Sequence, residues 1–171
     1  FEYDPTKQEI VTCKNKFGTD NFDDNFPLEA IKHSFGNSAL ADFCRMVIFD
    51  CITFQEDRHI GNFAFIENRL YPLYDNGRCL FWDKLDLSEI ENNEHDLISL
   101  IKTNEHGYGF NFVDSILGIQ RCRQLINNNI RYSEIYKIVR SLYARKRAET
   151  LSKFMYRVYC LIMGYSVNYD L

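Results

Sequence analysis

The feature that most constrains the fold of this chain is an apolar segment at helical spacing between Ser38 and Phe54. Its apolar residues are Leu40, Phe43, Met46, Val47, Ile48, Cys51, Ile52 and Phe54. They repeat every three or four residues and spread around most of the helix circumference, which is typical of a helix buried on most sides. Ser38 is a residue type that begins helices, so we expect the helix to start there.

The composition excludes several classes of protein. With 171 residues, 46% apolar and 15% aromatic, the chain suits one domain or one large lobe and is not a disordered tail. A net charge of -4 argues against direct nucleic-acid binding. No apolar run approaches the roughly 20 residues of a membrane span, and no signal peptide is visible. The six cysteines are scattered without a Cys-x-x-Cys pair, which favours reduced thiols in a cytoplasmic protein.

The rest of the chain predicts a mostly helical α+β fold. One or two strands are expected near residues 9–13, followed by loop, and a short helix is expected from Asp96 to Lys102. From Phe112 the pattern is helical to the end of the chain, with Ser133 as the N-cap of one helix. The triplet Asn-Glu-His occurs twice, and its histidine spacing matches no known metal-ligand pattern, so we interpret both copies as solvated loop.

The stretch "FQEDRHIGNFAFIENRLYPLYDNG" predicts a β-hairpin with polar residues at its open end. "NFAFI" and "LYPLY" are expected strands, and "ENR" is the turn between them. A turn centred after Asn68 would place Ile66 opposite Tyr71 and Asn62 opposite Asp75. Directly opposed side chains lie about 4.5–5.5 Å apart at Cβ. Asp57 would then lie on the loop that enters the same open end.

This combination of residue types suits phosphoryl transfer. An amide oxygen and a carboxylate oxygen are hard ligands of the kind that Mg²⁺ accepts beside waters and substrate phosphates. A second aspartate nearby can orient or deprotonate an attacking hydroxyl group. Asp57, Asn62 and Asp75 have this order and spacing. The alternative is a hairpin whose polar ends simply face water.

"DRHIGNFAFI" followed by "LYPLYDNG" resembles the C-terminal lobe of HipA-like serine/threonine kinases, the toxin kinases of bacterial toxin–antitoxin modules. The upstream "EYDPTKQEIVTCKNKF" is similar to the segment that joins the two lobes of that family. The resemblance implies an interlobe-like segment with loops over residues 1–37. Residues 38–171 would then be a kinase C-lobe-like helical domain with a central β-hairpin.

The resemblance also implies roles for individual residues. Asp57 would be the catalytic base, and Asn62 and Asp75 would bind Mg²⁺ and, through it, ATP. His59 would either contact phosphate or brace the loop, and bracing requires no particular protonation state. The implied partners are a protein substrate and an antitoxin.

The chain departs from the family in one respect. The family's N-terminal lobe supplies a phosphate-covering glycine loop and a lysine, and neither motif occurs in this sequence. We therefore expect half of a kinase from a longer protein, as the start at Phe1 suggests, or a lobe completed by a second polypeptide. A degenerate, non-catalytic interaction module is the rival hypothesis. A phosphoinositide-like lipid kinase is disfavoured because the residues after Asp75 are acidic on balance.

Overall fold

A computed structural model describes residues 9–17, 26–92, 101, 113, 117–126 and 129–170. The strands are β1 (Ile10–Thr12), β2 (Ala64–Ile66) and β3 (Arg69–Leu70). The helices are α1 (Cys13–Phe17), α2 (Phe26–Thr53), α3 (Ser88–Asn92), α4 (Ile119–Leu125), α5 (Tyr132–Leu142) and α6 (Arg145–Met163). These elements confirm the predicted mostly helical α+β fold with a small central hairpin.

The three strands form one antiparallel sheet in the order β1-β2-β3. β1 lies where a strand was predicted, and β2 is buried along its whole length. The hairpin between β2 and β3 is tighter than predicted, because Ile66 pairs with Arg69 and not with Tyr71. Glu67 begins the turn with φ 53°, and a left-handed first residue is typical of two-residue hairpin turns. The predicted register was therefore wrong by two residues.

Helix α2 contains the predicted buried helix after a break at Gly36, close to the predicted start at Ser38, and a further helical part precedes the break from Phe26. Gly36 interrupts it with φ 85° and ψ -178°, a backbone conformation that suits glycine because it has no Cβ. The part before the break was expected to be loop. Its side chains that face the core recur at helical spacing, at Leu28, Ile31 and Phe35. A short amphipathic pattern within a polar stretch explains why the sequence did not reveal it.

Helices α4 and α6 both pack on α2, and α6 also contacts α4 and α5. Helix α5 begins at Tyr132 with Arg131 at the N-cap position, so the predicted N-cap at Ser133 was wrong. Ser133 instead donates from its backbone nitrogen and hydroxyl to the carboxylate of Asp170. Helix α6 ends at Gly164 with φ 62°, and the residues from there to Asp170 are not helical, contrary to the prediction.

Several predictions fall on parts of the chain that the structure does not describe. Within the predicted helix Asp96–Lys102, Ile101 is described, and it is helical and buried. Both Asn-Glu-His triplets and Phe112 lie outside the described residues.

All six cysteines are free thiols, as predicted. Five of them are buried, and burial raises the pKa of Cys13 to about 12 and that of Cys122 to about 11. Among the described residues, no helix combines the length and the apolar character that crossing a membrane requires.

Candidate active site

The predicted site begins where helix α2 ends. Phe54 takes φ 51° directly after the helix, and Gln55 N donates to Asp50 O at 2.9 Å. This is the arrangement in which a left-handed residue closes a helix and satisfies its last carbonyl groups. Glycine is usual at that position. Here the Phe54 ring stacks on Phe81, with centroids 4.3 Å apart, which fixes the direction in which the chain leaves the helix.

Arg58 is buried at the centre of the site. Its Nε and Nη2 atoms donate to the two carboxylate oxygens of Asp50 at 2.8 and 3.0 Å. Nη1 donates to Asn62 O at 2.9 Å and to Tyr74 O at 3.0 Å, and Nη2 also donates to Asn76 Oδ1. These bonds use all five N–H groups of the guanidinium. A buried charge with every donor satisfied is the condition under which such a group is tolerated.

Arg58 brings the two polar ends of the hairpin together. Nη1 donates to the backbone carbonyl oxygen of Asn62 and to that of Tyr74, the residue before Asp75. The predicted opposition of Asn62 and Asp75 in the β-ladder was wrong, because the β2–β3 pairing ends at Leu70. Their segments are nevertheless joined by hydrogen bonds from one guanidinium.

Asn62 is oriented by Asp57. The amide nitrogen Nδ2 of Asn62 donates to Asp57 O at 2.8 Å, so the amide oxygen is the group left to bind a ligand. Asn62 itself is buried, whereas the side chain of Asp57 is 23% exposed and reaches solvent. Arg78 Nη1 lies 3.7 Å from Asp57 Oδ2. The loop therefore offers one carboxylate and one directed amide oxygen.

Asp75 is exposed and has φ 53°, a conformation that residues other than glycine rarely adopt. Gln55 Nε2 donates to Asp75 O at 3.2 Å, and Arg58 bonds to the residues on both sides of it. Backbone in such a conformation persists where its surroundings determine it, and it is frequent at functional sites.

His59 supports the loop. Its Nδ1 accepts from Gly61 N at 3.0 Å, and its carbonyl oxygen accepts from Asn62 N at 2.9 Å. A Cβ on Gly61 would lie 2.9 Å from the imidazole, so a larger residue there would displace the exposed His59 ring. This geometry matches the bracing role more closely than the phosphate-contact role.

Four residues of the site were not predicted: Asp50, Gln55, Arg58 as its centre, and Asn76. Burial raises the pKa of the Asp50 carboxyl, and its bonds to Arg58 act in the opposite direction. Arg58 stood inside the quoted motif, but nothing in the sequence indicated its partner on α2. Asp50 fell on the buried face of an apolar helix, and an acid at such a position is a usable signal because it requires a partner.

The donor set fits a hard divalent cation. Within the described part of the chain, no group of three or more histidine, cysteine or acidic side chains has the arrangement of a metal site. The Asn62 amide oxygen and the Asp75 carboxylate are instead two oxygen donors of the kind that Mg²⁺ uses when waters and substrate phosphates complete its shell.

No protein-family model matches the sequence, and no curated protein matches it either. Among solved structures, the fold is similar to that of CtkA, described as a proinflammatory kinase of Helicobacter pylori. The TM-score is 0.63 at 18% sequence identity, and the match covers 96% of this chain and 72% of that one. The likeness rests on the fold and not on sequence. The chain therefore has a kinase-like fold.

Proposed function

We propose that this chain is the C-terminal catalytic lobe of an ATP- and Mg²⁺-dependent protein serine/threonine kinase of the HipA-like type. An ATP-binding N-terminal lobe, from the same or a second polypeptide, would complete it, and an antitoxin is a further proposed partner. The likeness in fold to a kinase supports the general class. The sequence motif from Asp57 to Gly77 supports the HipA-like type within that class.

The observation that carries the proposal is the set of five bonds from Arg58. Three of these bonds join the Asn62 loop to the Tyr74–Asn76 segment, which supports the proposal that Asp57, Asn62 and Asp75 act at one site. Phosphoryl transfer depends on positioning and electrostatic stabilisation more than on covalent chemistry of the protein. A rigid frame beneath the three polar residues meets that requirement.

Each residue then has a defined role. Asp57 accepts the proton of the acceptor hydroxyl while the acceptor oxygen bonds to the γ-phosphorus and the bond to the β–γ bridging oxygen breaks, which releases ADP. Asn62 and Asp75 would hold the metal ion. When bound, Mg²⁺ neutralises charge on the β- and γ-phosphate oxygens. His59 braces the loop that carries Asp57 and Asn62.

The test is phosphate transfer from labelled ATP by the protein as its own gene encodes it, with every segment that the gene specifies. Asp57→Ala removes the base and Asp75→Ala removes the metal ligand, so each is expected to lower kcat by at least about 100-fold. Asp83→Ala, which removes an exposed acid outside the site, is the matched control and is expected to keep full activity. Wild-type activity in either site variant would contradict the assignment.

A non-catalytic interaction module is the second candidate. It is favoured by two apolar side chains on the surface after Asp75: Trp82 is 52% exposed and Leu85 is 99% exposed. Exposed apolar groups of this kind often mark protein contacts. Wild-type protein that folds and binds Mg²⁺ but transfers no phosphate to protein, peptide or water would favour this candidate.

A further inference from the structure

The proposed base and the proposed metal ligands come from two separate segments of the chain. Asp57 and Asn62 follow the end of α2, whereas Asp75 lies beyond the hairpin. Phosphoryl transfer requires the acceptor hydroxyl and the metal-bound phosphate to meet in line, so the rate depends on the spacing between the base and the metal ligand. A group that bonds to both aspartates would fix that spacing.

Arg58 does not bond to either aspartate. Its five N–H groups all donate elsewhere, among them to Tyr74 and Asn76, which are the two neighbours of Asp75. No N–H group of the guanidinium is left for Asp75 itself. Arg58 therefore joins the two segments but holds Asp75 only through the residues on either side of it.

The side-chain amide of Gln55 bonds to the backbone of both aspartates. Its Oε1 accepts from Asp57 N at 3.3 Å, and its Nε2 donates to Asp75 O at 3.2 Å. Gln55 is 1% exposed, so both bonds lie where bulk water does not compete for the amide. One buried group thus connects the residue proposed as base to a residue proposed as metal ligand.

The connection continues from Asp57 to the second proposed metal ligand. Asn62 Nδ2 donates to Asp57 O at 2.8 Å, so side-chain amides hold the peptide groups on both sides of Asp57. Three hydrogen bonds form one chain from Asp75 through Gln55 and Asp57 to Asn62. This chain passes through the proposed base and both proposed metal ligands.

A glutamine amide suits the position of Gln55. The Asp57 N–H requires an acceptor and the Asp75 carbonyl oxygen requires a donor, and an amide offers one of each. The backbone of Gln55 is fixed as well, because its N–H donates to Asp50 O at 2.9 Å at the end of α2. The bond to Asp75 also supports its φ of 53°, a conformation that persists where the surroundings determine it.

We propose that Gln55 is a positioning residue of this site, whose amide sets the spacing between the base Asp57 and the metal ligand Asp75. This inference rests on the proposed kinase function. Gln55 acts through the backbone of the two aspartates and not through contact with the nucleotide or the acceptor. Its loss therefore misplaces the two carboxylates without removing either of them.

The first experiment measures phosphate transfer by Gln55→Met in the protein as its gene encodes it. Methionine keeps the length of a buried side chain and removes both bonds. We expect kcat to fall by at least about 10-fold, because a misplacement of about 1 Å can cost about 100-fold. The KM for ATP is expected to change little, since Gln55 does not contact the nucleotide.

Thr150→Val is the matched control for a loss of stability alone. It removes a buried hydroxyl that bonds to Glu91 between α6 and α3, away from the chain of hydrogen bonds through Gln55. We expect it to keep wild-type kcat. A kcat of Gln55→Met that falls no further than that of Thr150→Val would overturn the inference and leave the kinase assignment intact.

A second variant, Gln55→Glu, separates the two bonds. The introduced carboxyl keeps the acceptor for Asp57 N, but it can donate to Asp75 O only when it is protonated, the form that burial favours. The ratio of its kcat to that of wild type is therefore expected to rise as the pH falls, because protonation of Asp57 lowers both rates and cancels in the ratio. The corresponding ratio for Gln55→Met is expected to stay constant.

Calorimetric titration with Mg²⁺ gives a readout that does not depend on turnover. Gln55→Met is expected to bind the metal more weakly than wild type, and Thr150→Val is expected to bind it equally well. An inactive wild-type protein would contradict the proposed function itself, and equal Mg²⁺ affinity in wild type and Gln55→Met would then overturn the inference as well. If Gln55→Met does not fold, a ratio for Gln55→Glu that does not change with pH overturns it.

Discussion

At the scale of single residues, the site depends on a buried ion pair between Asp50 and Arg58. Both side chains are fully removed from solvent. Burying two charges costs free energy that their attraction recovers only when the remaining donors are satisfied as well. Here Asn62 O, Tyr74 O and Asn76 Oδ1 satisfy them. The pair therefore contributes less to net stability than to specifying one arrangement of the loop.

Removal of one partner is expected to be strongly destabilising. Asp50→Ala leaves the Arg58 guanidinium charged and buried with two of its bonds lost, so we expect the free energy of unfolding to fall by about 3–5 kcal/mol. Asp42→Ala is the matched control on the same helix, because Asp42 pairs with Arg45 and Arg69, whose side chains are 50% and 62% exposed. The arginine side of each pair is exposed and the Asp42 side chain is 12% exposed, so the loss is expected to be smaller than for Asp50→Ala.

Urea denaturation followed by circular dichroism measures both losses. Equal losses for the two variants would contradict the central role given to Arg58. In the double variant Asp50→Ala with Arg58→Met, no charge is left buried, so part of the lost stability is expected to return.

At the scale of elements, the start of helix α5 is tied to the end of the chain. Asp170 accepts from the hydroxyl and backbone nitrogen of Ser133, and these bonds hold the pKa of its carboxyl below the ordinary value. Tyr169 packs against Tyr132, with ring centroids 4.9 Å apart. A carboxylate at a helix N-terminus satisfies donors that lack partners within the helix.

The lowered pKa gives a defined pH dependence. Because the folded protein favours the ionised carboxylate, this contribution is complete above the ordinary carboxyl pKa of about 4 and is lost as the pH falls through the lower, folded value. Asp170→Asn should therefore melt at a slightly lower temperature than wild type at neutral pH, with the difference shrinking in acid. Thermal melts of both proteins across that range test this. A difference that grows in acid would exclude the assigned contact.

The elements also show what the sequence could predict. The central helix and the hairpin were recognisable because their apolar residues follow one period over many positions, which burial enforces. The pairing register of the hairpin was not recognisable, because turns centred on neighbouring residues of "ENR" have similar chemistry. Hydrogen bonds from Arg58 nevertheless join the Asn62 loop to the Tyr74–Asn76 segment, and the roles predicted for Asn62 and Asp75 stay predictions.

Other features of the site could not be predicted in principle from local pattern. The Asp50–Arg58 pair spans the end of a helix and has no characteristic spacing. The left-handed conformations of Asp75 and Leu80 are imposed by tertiary hydrogen bonds on residues that disfavour them. The roles of Asp57, His59, Asn62 and Asp75 in catalysis stay predictions.

At the scale of the whole molecule, the site is connected to the core through aromatic rings. Phe54, which closes α2, stacks on Phe81, and Phe81 meets Phe154 of α6 edge to face with centroids 5.0 Å apart. The helix end, the segment after Asp75 and α6 therefore share one packed cluster. A frame of this kind keeps the polar residues in place without ligand, which is what preorganisation requires.

The same arrangement predicts how the 171 residues behave on their own. Asp57 and Asp75 repel a polyphosphate unless a cation screens them, and the sequence contains no glycine-rich phosphate loop. We expect weak binding of Mg²⁺ first, then ATP only together with the metal, and no phosphate transfer. Calorimetry with Mg²⁺, with ATP, and with both measures each step, and Asp75→Ala is expected to abolish the metal signal while Asp83→Ala retains it. Micromolar ATP binding without metal would show that the nucleotide site lies elsewhere in the chain.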